Sequence, residues 1–310
     1  MTDRLRSVVH SVASGVRRIR RIVVRKTRRC ETLVLFLYAE GTRYPNAPAA
    51  ARKVFSEFGS DPGHFVAINN FASTEFHRQL SDREHEISGD NSAWEFSGWQ
   101  RGLDWARAQG IKHDRVIFIN DAFLKDSLAG RNLAYFRSML NPVTLDGTVG
   151  GVFGKIDFGA SGNRIGNIAC DAWVRTNAFC VDSKLLAGLA IVGVDPSLAS
   201  SCFESAWSGS LLRDTAPISP VLRSRLVAWL TQHWSRAGAI DAQSWAFFRG
   251  KATAILNERL LAASLADAGA IFFDRGPFVL HQGACRAHRV RLPPELKLGS
   301  DVRSLYNTFS

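Results

Sequence analysis

The seven residues RVIFIND, Arg115–Asp121, decide the fold class of this chain. The four residues in the middle are branched or aromatic and apolar, and the stretch ends in an amide and a carboxylate, Asn120 and Asp121. A short continuous apolar run without polar alternation is typical of a strand that is buried on both faces of a parallel sheet. The stretch therefore predicts a central strand with polar side chains at its carboxyl end.

Two earlier stretches have the same pattern. TLVLFLYAEG, Thr32–Gly41, runs into Glu40, and HFVAINN, His64–Asn70, ends in two amides, Asn69 and Asn70. Because ligands of open α/β sheets bind beyond the carboxyl ends of the strands, these polar residues are predicted to share one binding edge with Asp121.

Helical patterns alternate with the strands. We predict helices at about 47–58, 93–109, 220–237 and 245–268, and further strands around 85–88 and 270–273. The Gly-rich stretch 145–166 is interpreted as loops and short strands, and Asp171–Leu186 as a strand that leads into a helix. The alternation predicts an α/β fold, a mostly parallel sheet flanked by helices.

The chain of 310 residues is predicted to form one catalytic domain at 30–285, between a basic leader at 1–29 and a C-terminal tail at 286–310. No Walker, GxGxxG, GxSxG or HExxH motif supports a P-loop kinase, a dinucleotide oxidoreductase, a serine hydrolase or a zinc protease. Five cysteines without a CxxC pair favour a reducing compartment, and the prediction is a cytoplasmic protein.

The positive charge is concentrated in the leader. Residues 1–29 contain ten lysines and arginines and a single acid, Asp3, so that nine of the eleven net positive charges lie there. Apolar residues recur at helical spacing among the arginines, which predicts a basic amphipathic helix at about 4–29. Such a helix binds an anionic membrane surface, so a peripheral position on the inner face of the cell membrane is predicted.

Other interpretations of the leader remain open. It could be a solvated basic tail, or a helix docked on the body of the protein or on a partner. Nucleic acid is not the expected partner, because no aromatic residues are interleaved with the arginines and the rest of the chain is almost neutral.

Three stretches carry a resemblance to a known family. DNSAWEFSGWQRGLDWA (Asp90–Ala106), VIFINDAFL (Val116–Leu124) and DAWVRTNAFCVDSKLL (Asp171–Leu186) follow one another in the order seen in bacterial polysaccharide glycosyltransferases related to rhamnan-synthesis proteins. Members of that family show an N-x-x-x-[DE]-[FI]-G-like segment, an N-D strand end and a W-x-[RQ]-[TS]-x-x-F segment. The resemblance covers roughly residues 32–273.

The resemblance implies a GT-A-type fold, a nucleotide-diphosphate sugar as donor and a glycan or lipid-linked glycan as acceptor, in cell-surface polysaccharide synthesis. On this interpretation Asn120 and Asp121 stand where related enzymes carry Asp-x-Asp, and Asp121 contacts the donor diphosphate or a divalent cation, Mg²⁺ or Mn²⁺. Ala122 occupies the position of the second carboxylate. A site with two local carboxylates is therefore not available, and the alternative for Asp121 is a carboxylate that caps the next turn.

Sugar transfer with inversion also needs a base for the acceptor hydroxyl. The stretch NERLLAASLADAG, Asn257–Gly269, is similar to the helix of many inverting GT-A enzymes that carries this base, and Glu258 has the matching spacing. The alternative is an exposed glutamate in the first turn of a helix, where it complements the macrodipole. Asp171 is a second candidate for the acidic role.

Further donor contacts are predicted around these residues. Trp173 could stack on a sugar and Arg175 could pair with phosphate, while Asp90, Asn91 and Glu95 are assigned to the nucleotide through the resemblance. His281 is a candidate for a late metal or phosphate ligand. Trp94, Phe96 and Trp99 recur at helical spacing, which favours core packing.

One alternative from a different functional class remains. A non-catalytic, glycosyltransferase-like scaffold at the membrane would bind glycan or nucleotide without turnover, and the single acid of the Asn120–Ala122 segment is compatible with it.

Overall fold

The computed structural model describes residues 31–39, 46–57, 63–124, 150–234, 237–274, 277–280 and 287–289. The predicted leader helix, Glu40 and His281 lie outside these ranges.

The described strands form one large sheet and a separate two-stranded hairpin. They are β1 (Thr32–Tyr38), β2 (His64–Asn69), β3 (His77–Gln79), β4 (Glu84–Ser88), β5 (Arg115–Asn120), β6 (Gly151–Phe158), β7 (Arg164–Ile165), β8 (Ile168–Ala169), β9 (Ala172–Asp182), β10 (Ile271–Phe273), β11 (Pro277–Leu280) and β12 (Ala287–Arg289). The order in the large sheet is β12-β11-β10-β6-β9-β5-β1-β2-β4-β3, and β7 pairs with β8.

The sheet is mixed, although most of its strands point the same way. Strands β5, β1, β2 and β4 form a parallel block, and β10 pairs parallel with β6. Strand β9 runs antiparallel between β5 and β6, and antiparallel strands β3, β11 and β12 complete the edges. The prediction of an α/β protein with a mostly parallel sheet flanked by helices is confirmed at this level.

Two details differ from the sequence-based expectation. The Gly-rich stretch contains the eight-residue strand β6, in which a Cβ at Gly154 would lie only 3.0 Å from Phe179 Cβ and 3.1 Å from Val174 Cγ1 of β9. The sheet also continues past residue 285 to β12, so the predicted domain boundary falls between the strands of the β11–β12 hairpin.

The described helices are α1 (Ala47–Glu57), α2 (Glu95–Ala108), α3 (Ser183–Leu186), α4 (Pro196–Cys202), α5 (Pro220–Ala228) and α6 (Trp245–Asp267), with a π-helical turn at Trp229–His233. Alternate residues of β1 enter two different cores. Leu33, Leu35 and Leu37 pack under α2 and α6, whereas Val34 and Phe36 pack under α1. The fold therefore has three layers, with the sheet in the middle.

Helix α2 lies very close to the sheet, and its glycines make this possible. A Cβ at Gly98 would lie 2.3 Å from Leu37 Cδ1 and 2.8 Å from Asn70 Oδ1, and one at Gly102 would lie 2.7 Å from Ile68 Cδ1. Trp99 lies between these glycines, has no exposed surface and donates to the Ile119 carbonyl at 3.4 Å. The predicted core role of this aromatic position is confirmed.

A third core lies beyond the sheet. Apolar residues of α4, α5 and the first half of α6 form it together with Ile165 and Ile218. The second half of α6 packs on the sheet instead, through residues that include Leu261 and Leu265. One long helix therefore joins two cores, and it carries the candidate base between them.

The order in which the chain adds strands to the sheet reverses at β1. Strand β2 lies on one side of β1 and β5 lies on the other, both parallel to it. In open α/β sheets the crevice for a ligand forms at such a switch, beyond the carboxyl ends of the strands. Asn120 and Asp121 follow at this edge.

In the part of the chain that the structure describes, no helix combines the length and the apolar character required to cross a membrane.

Gly98→Ala tests the close contact of α2 with the sheet. We expect the free energy of unfolding to fall by about 1–3 kcal/mol, because the new methyl group must displace Leu37 and Asn70. The loss should appear even though alanine in a helix ordinarily contributes about 1 kcal/mol relative to glycine.

Gly238→Ala is the matched control, because no atom lies within 4 Å of a Cβ at that position. Urea denaturation of both variants gives the comparison, and equal stability of the two would contradict the packing described for α2.

Candidate functional site

Helix α6 places Glu258 at the junction of two cores. The neighbouring residue on one side, Asn257, has no exposed surface, and its Oδ1 accepts a hydrogen bond from Val194 N at 2.7 Å. Glu258 itself is partly accessible to solvent and lies in the second half of a 23-residue helix that begins at Trp245. The alternative of a glutamate in a first helical turn is therefore wrong.

Strand β9 brings Thr176 to Glu258 through an irregularity in its pairing. Gly154 of β6 pairs with Phe179, but Ile156 pairs with Val174, so β9 contains extra residues between two ladder positions. Thr176 lies in this bulge. Bulges of this kind redirect side chains and are frequent beside active sites.

A tight turn before α2 positions Glu95. Asn70 Nδ2 donates to Asn91 Oδ1 and to the Trp94 carbonyl, both at 2.9 Å, and Asn70 Oδ1 accepts from Asn91 N at 3.2 Å. Asn91 and Trp94 both have a φ of 53°, which is the left-handed region that a bulky side chain rarely adopts. The amide of Asn70 holds this strained turn, and Glu95 begins the helix directly after it.

The three elements bring two carboxylates to one hydroxyl. Thr176 Oγ1 lies 2.5 Å from Glu258 Oε1 and 3.2 Å from Glu95 Oε1. A hydroxyl has one proton to donate, so it can donate to only one of two carboxylates at a time. The second contact is a hydrogen bond only when that carboxyl group is itself protonated.

The pKa of Glu258 agrees with this arrangement. Burial raises it from 4.5 to about 7, opposed by the nearby Lys251 and assisted by the negative charge of Glu95. The hydrogen bond from Thr176 stabilises the ionised form and lowers the pKa. Near neutral pH, Glu258 therefore exchanges between an acid that donates to Thr176 and a carboxylate that accepts from it.

The carboxyl end of β5 lies close to this cluster along the sheet. Ile119 is the last residue of β5 that pairs with β9, and its partner is Ala178. Asn120 follows Ile119 directly, and Thr176 precedes Ala178 by two residues. Asn120 Oδ1 is buried and has no hydrogen-bond partner among the described residues. Asp121 begins the turn that follows, where Leu124 N donates to its backbone carbonyl at 3.1 Å.

Two other predicted donor contacts have local partners. Asn69 Oδ1 accepts from Phe71 N at 3.2 Å, and Asp90 Oδ1 accepts from the backbone and the side chain of Ser92, both at 3.0 Å. Burial alone would raise the pKa of Asp90, but these bonds, Ser97 and the charge of Arg101 lower it. Both residues lie at the expected edge, and their roles with a nucleotide stay predictions.

Asp171 and its neighbours have mainly local partners. Asp171 Oδ1 and Oδ2 accept from Asn163 N at 2.6 Å and Gly162 N at 3.3 Å, which holds the preceding loop. Arg175 Nε donates to Asp157 Oδ2 at 2.5 Å. The guanidinium of Arg259 lies 4.3 Å from the ring centre of Trp173 and occupies one of its faces. None of these contacts connects Asp171 to the cluster of Glu95, Thr176 and Glu258.

The predicted metal site was compared with the side chains that the structure describes. Among the described residues, no group of three or more His, Cys, Asp or Glu side chains could hold a metal ion. Two oxygen-bearing residues, Asn120 and Asp121, remain adjacent at the edge of the sheet. They fit a hard divalent cation only if a diphosphate supplies most of the ligands. Glu40 and His281, which were also predicted to bind donor or metal, lie outside the described residues.

Two members of the site, Thr176 and Lys251, are not among the residues predicted from the sequence. Thr176 belongs to the WVRTN segment but gave no signal of its own, because a threonine in a strand is ordinary. Lys251 precedes Glu258 by seven residues, which places both on one side of α6. The helical spacing could have indicated this pairing of opposite charges.

Glu258→Gln tests the cost of the buried charge. The folded-state pKa of about 7 lies above the ordinary 4.5, so the ionised side chain destabilises the fold. The cost is absent below about pH 4.5, grows as the pH rises and is complete above about pH 7. We expect the variant to be more stable than the unmodified chain above pH 7, by at most about 3 kcal/mol. Urea denaturation at several pH values measures the difference, and a gain that does not depend on pH would contradict the assignment.

Thr176→Val tests the shared hydroxyl. Valine has nearly the same shape but cannot donate to the ionised carboxylate, so the pKa of Glu258 should rise above about 7. Carbon-13 NMR titration of the glutamate carboxyl groups measures this value. The control is Thr253→Val, which removes a hydroxyl that donates to the Arg249 carbonyl on the same helix. An unchanged or lower pKa of Glu258 in Thr176→Val would rule out the proposed bond.

No protein-family model, no curated protein and no solved structure matches this chain.

Proposed function

We propose that this chain is an inverting glycosyltransferase of GT-A type that moves a sugar from a nucleotide-diphosphate donor to a glycan acceptor. The observation that carries the proposal is the partly accessible Glu258, whose pKa is raised to about 7 and which shares the Thr176 hydroxyl with Glu95. A base works best when its pKa lies near the working pH.

The proposed reaction uses Glu258 as the base for the acceptor hydroxyl. The acceptor hydroxyl oxygen forms a bond to the anomeric carbon, the bond from that carbon to the diphosphate breaks, and the hydroxyl proton moves to Glu258. The pair of electrons from the broken bond leaves with the nucleoside diphosphate. Thr176 would stay hydrogen-bonded to Glu258 in both protonation states, which keeps its carboxyl group in one orientation.

The donor diphosphate is assigned to the edge beyond β5. The unpaired acceptor Asn120 Oδ1 and the adjacent Asp121 support this placement, together with the reversal of the strand order at β1. Mg²⁺ or Mn²⁺ held by these two residues and by the diphosphate would neutralise the charge of the leaving group.

The cellular setting is proposed from the leader. Its basic amphipathic pattern supports attachment to an anionic membrane surface from the cytoplasmic side, where nucleotide sugars and a lipid-linked glycan acceptor would meet the site. A cytoplasmic nucleotide-sugar donor, a lipid-linked glycan acceptor and a membrane-bound enzyme are together typical of the synthesis of a cell-surface polysaccharide.

Release of nucleoside diphosphate from a panel of nucleotide sugars, with and without Mn²⁺, tests the proposal. We expect turnover in the full chain and a loss of about a hundredfold or more in Glu258→Gln, because general base catalysis contributes roughly that much. The rate should rise with pH through about 7, since only ionised Glu258 can accept the proton. Asp121→Asn should reduce turnover as well.

Asp267→Asn is the matched control, because it removes an exposed carboxylate from the same helix. Equal rates in Glu258→Gln and Asp267→Asn would eliminate Glu258 as the base. Binding of a nucleotide sugar without any turnover, detected as a thermal shift, would instead support the non-catalytic scaffold.

A further inference from the structure

A group of aromatic side chains lies beside the carboxylate pair. We define the aromatic platform as Trp94, Trp229, Trp234 and Phe247. Trp234 stacks on Phe247, with ring centres 5.4 Å apart and planes 19° apart, and on Trp229, at 5.7 Å and 20°. Trp94 lies tilted against Phe247 at 5.7 Å. Three separate parts of the chain therefore supply one continuous aromatic surface.

The platform is not closed over like a core. Phe247 keeps 38% of its surface exposed, and the other three rings are partly accessible. Large apolar side chains that remain at the surface as a group mark a binding site more often than isolated ones do. The platform also contains the strained Trp94, whose φ of 53° is maintained by the bonds from Asn70 and Ser97 to its carbonyl. Strain of this kind concentrates at functional sites.

The chain connects the platform directly to the candidate base. Trp94 precedes Glu95, which contacts Thr176. Lys251 Nζ lies 5.0 Å from the ring centre of Trp94 and 5.9 Å from that of Trp234, and its charge lowers the pKa of Glu258. Lys251 and Glu258 lie on the same side of α6 about 10 Å apart along the axis, so an acceptor of about two sugar units spans them.

We infer that the aromatic platform is the acceptor subsite, which binds a pyranose ring of the glycan by stacking its apolar face on Phe247, the most exposed ring of the platform. This inference rests on the proposed function and names the chemistry of its acceptor. The C–H groups on one face of a pyranose carry partial positive charge, and the face of an aromatic ring carries partial negative charge. The Lys251 ammonium is placed to donate to a hydroxyl oxygen at the rim of the pyranose ring.

Binding of simple pyranosides provides the first test. The probes are the methyl pyranosides of glucose, galactose, mannose, rhamnose and N-acetylglucosamine, and saturation-transfer NMR on the full chain detects contact with each. We expect contact for at least one pyranoside and a loss of affinity of about tenfold in Phe247→Ala, since one stacking contact contributes roughly that amount. No contact for any of the five, or equal affinity in Phe247→Ala, would overturn the inference.

Two variants serve as controls. Leu80→Ala removes a side chain of similar exposure, 42%, from the turn after β3 and should leave binding unchanged. Phe247→Leu keeps apolar bulk without an aromatic face. It should bind as weakly as Phe247→Ala, and full binding in this variant would contradict stacking.

The same variants separate this inference from the proposed function. Release of nucleoside diphosphate by the unmodified chain reports on the function, whereas pyranoside contact reports on the platform. Contact that depends on Phe247 without any turnover leaves the subsite standing and rejects the transferase. Turnover whose KM for the acceptor is equal in Phe247→Ala and the unmodified chain rejects the subsite alone.

A second copy of the chain is the competing occupant. Sedimentation velocity tests it, because a dimer that dissociates in Phe247→Ala would show that the platform is a protein interface. We expect the sedimentation coefficient to be the same in both proteins.

Discussion

The hydroxyl of Thr176 lies between the carboxylates of Glu95 and Glu258, and it has only one proton to share. A low-polarity setting makes two neighbouring negative charges costly, so one carboxyl group keeps its proton near neutral pH. Burial raises the pKa of Glu258 to about 7, so this carboxyl group exchanges between its protonated and ionised forms near neutral pH. The close approach of the two carboxyl groups has an electrostatic cost, and the surrounding structure holds them together in spite of it.

Each of the three side chains is held by a different structural device. Helix α6 is fixed on both sides of Glu258, by the sheet core and by the outer core. The bulge of β9 redirects Thr176. The amide of Asn70 maintains the turn that precedes Glu95. Because α2 packs on the sheet through glycines, even Asn70 depends on the close contact of helix and sheet.

This construction also explains why the aromatic platform lies where it does. The first half of α6 extends beyond the sheet, and it carries Phe247 and Lys251 toward Trp94 at the start of α2. A partly buried acid with a raised pKa and an open aromatic surface thus occur on the same helix. Such features cost stability, and proteins commonly retain them at sites where function requires them.

The local sequence predicted much of the scaffold. Continuous apolar runs identified β1, β2 and β5, and helical spacing identified α2 and α6, whereas Glu258 was predicted as a base only through the resemblance of its helix to a known family. These strands and helices depend on the spacing of apolar residues that are close together in the chain, and this spacing can be read from the sequence. The same reasoning failed for β6, since its glycines are explained by contacts with β9, and for the antiparallel direction of β9, since strand direction is a property of the pairing.

The sequence by itself therefore determined the α/β class, the polar strand ends and the acidic residue on the last long helix. The tertiary structure alone decided that Glu258 meets Glu95 across Thr176, that Asn70 holds a turn, and that rings from positions 94, 229, 234 and 247 form one surface. The reason is physical. Desolvation, shared protons and ring stacking arise between groups that are distant along the chain, and they exist only after the layers have packed.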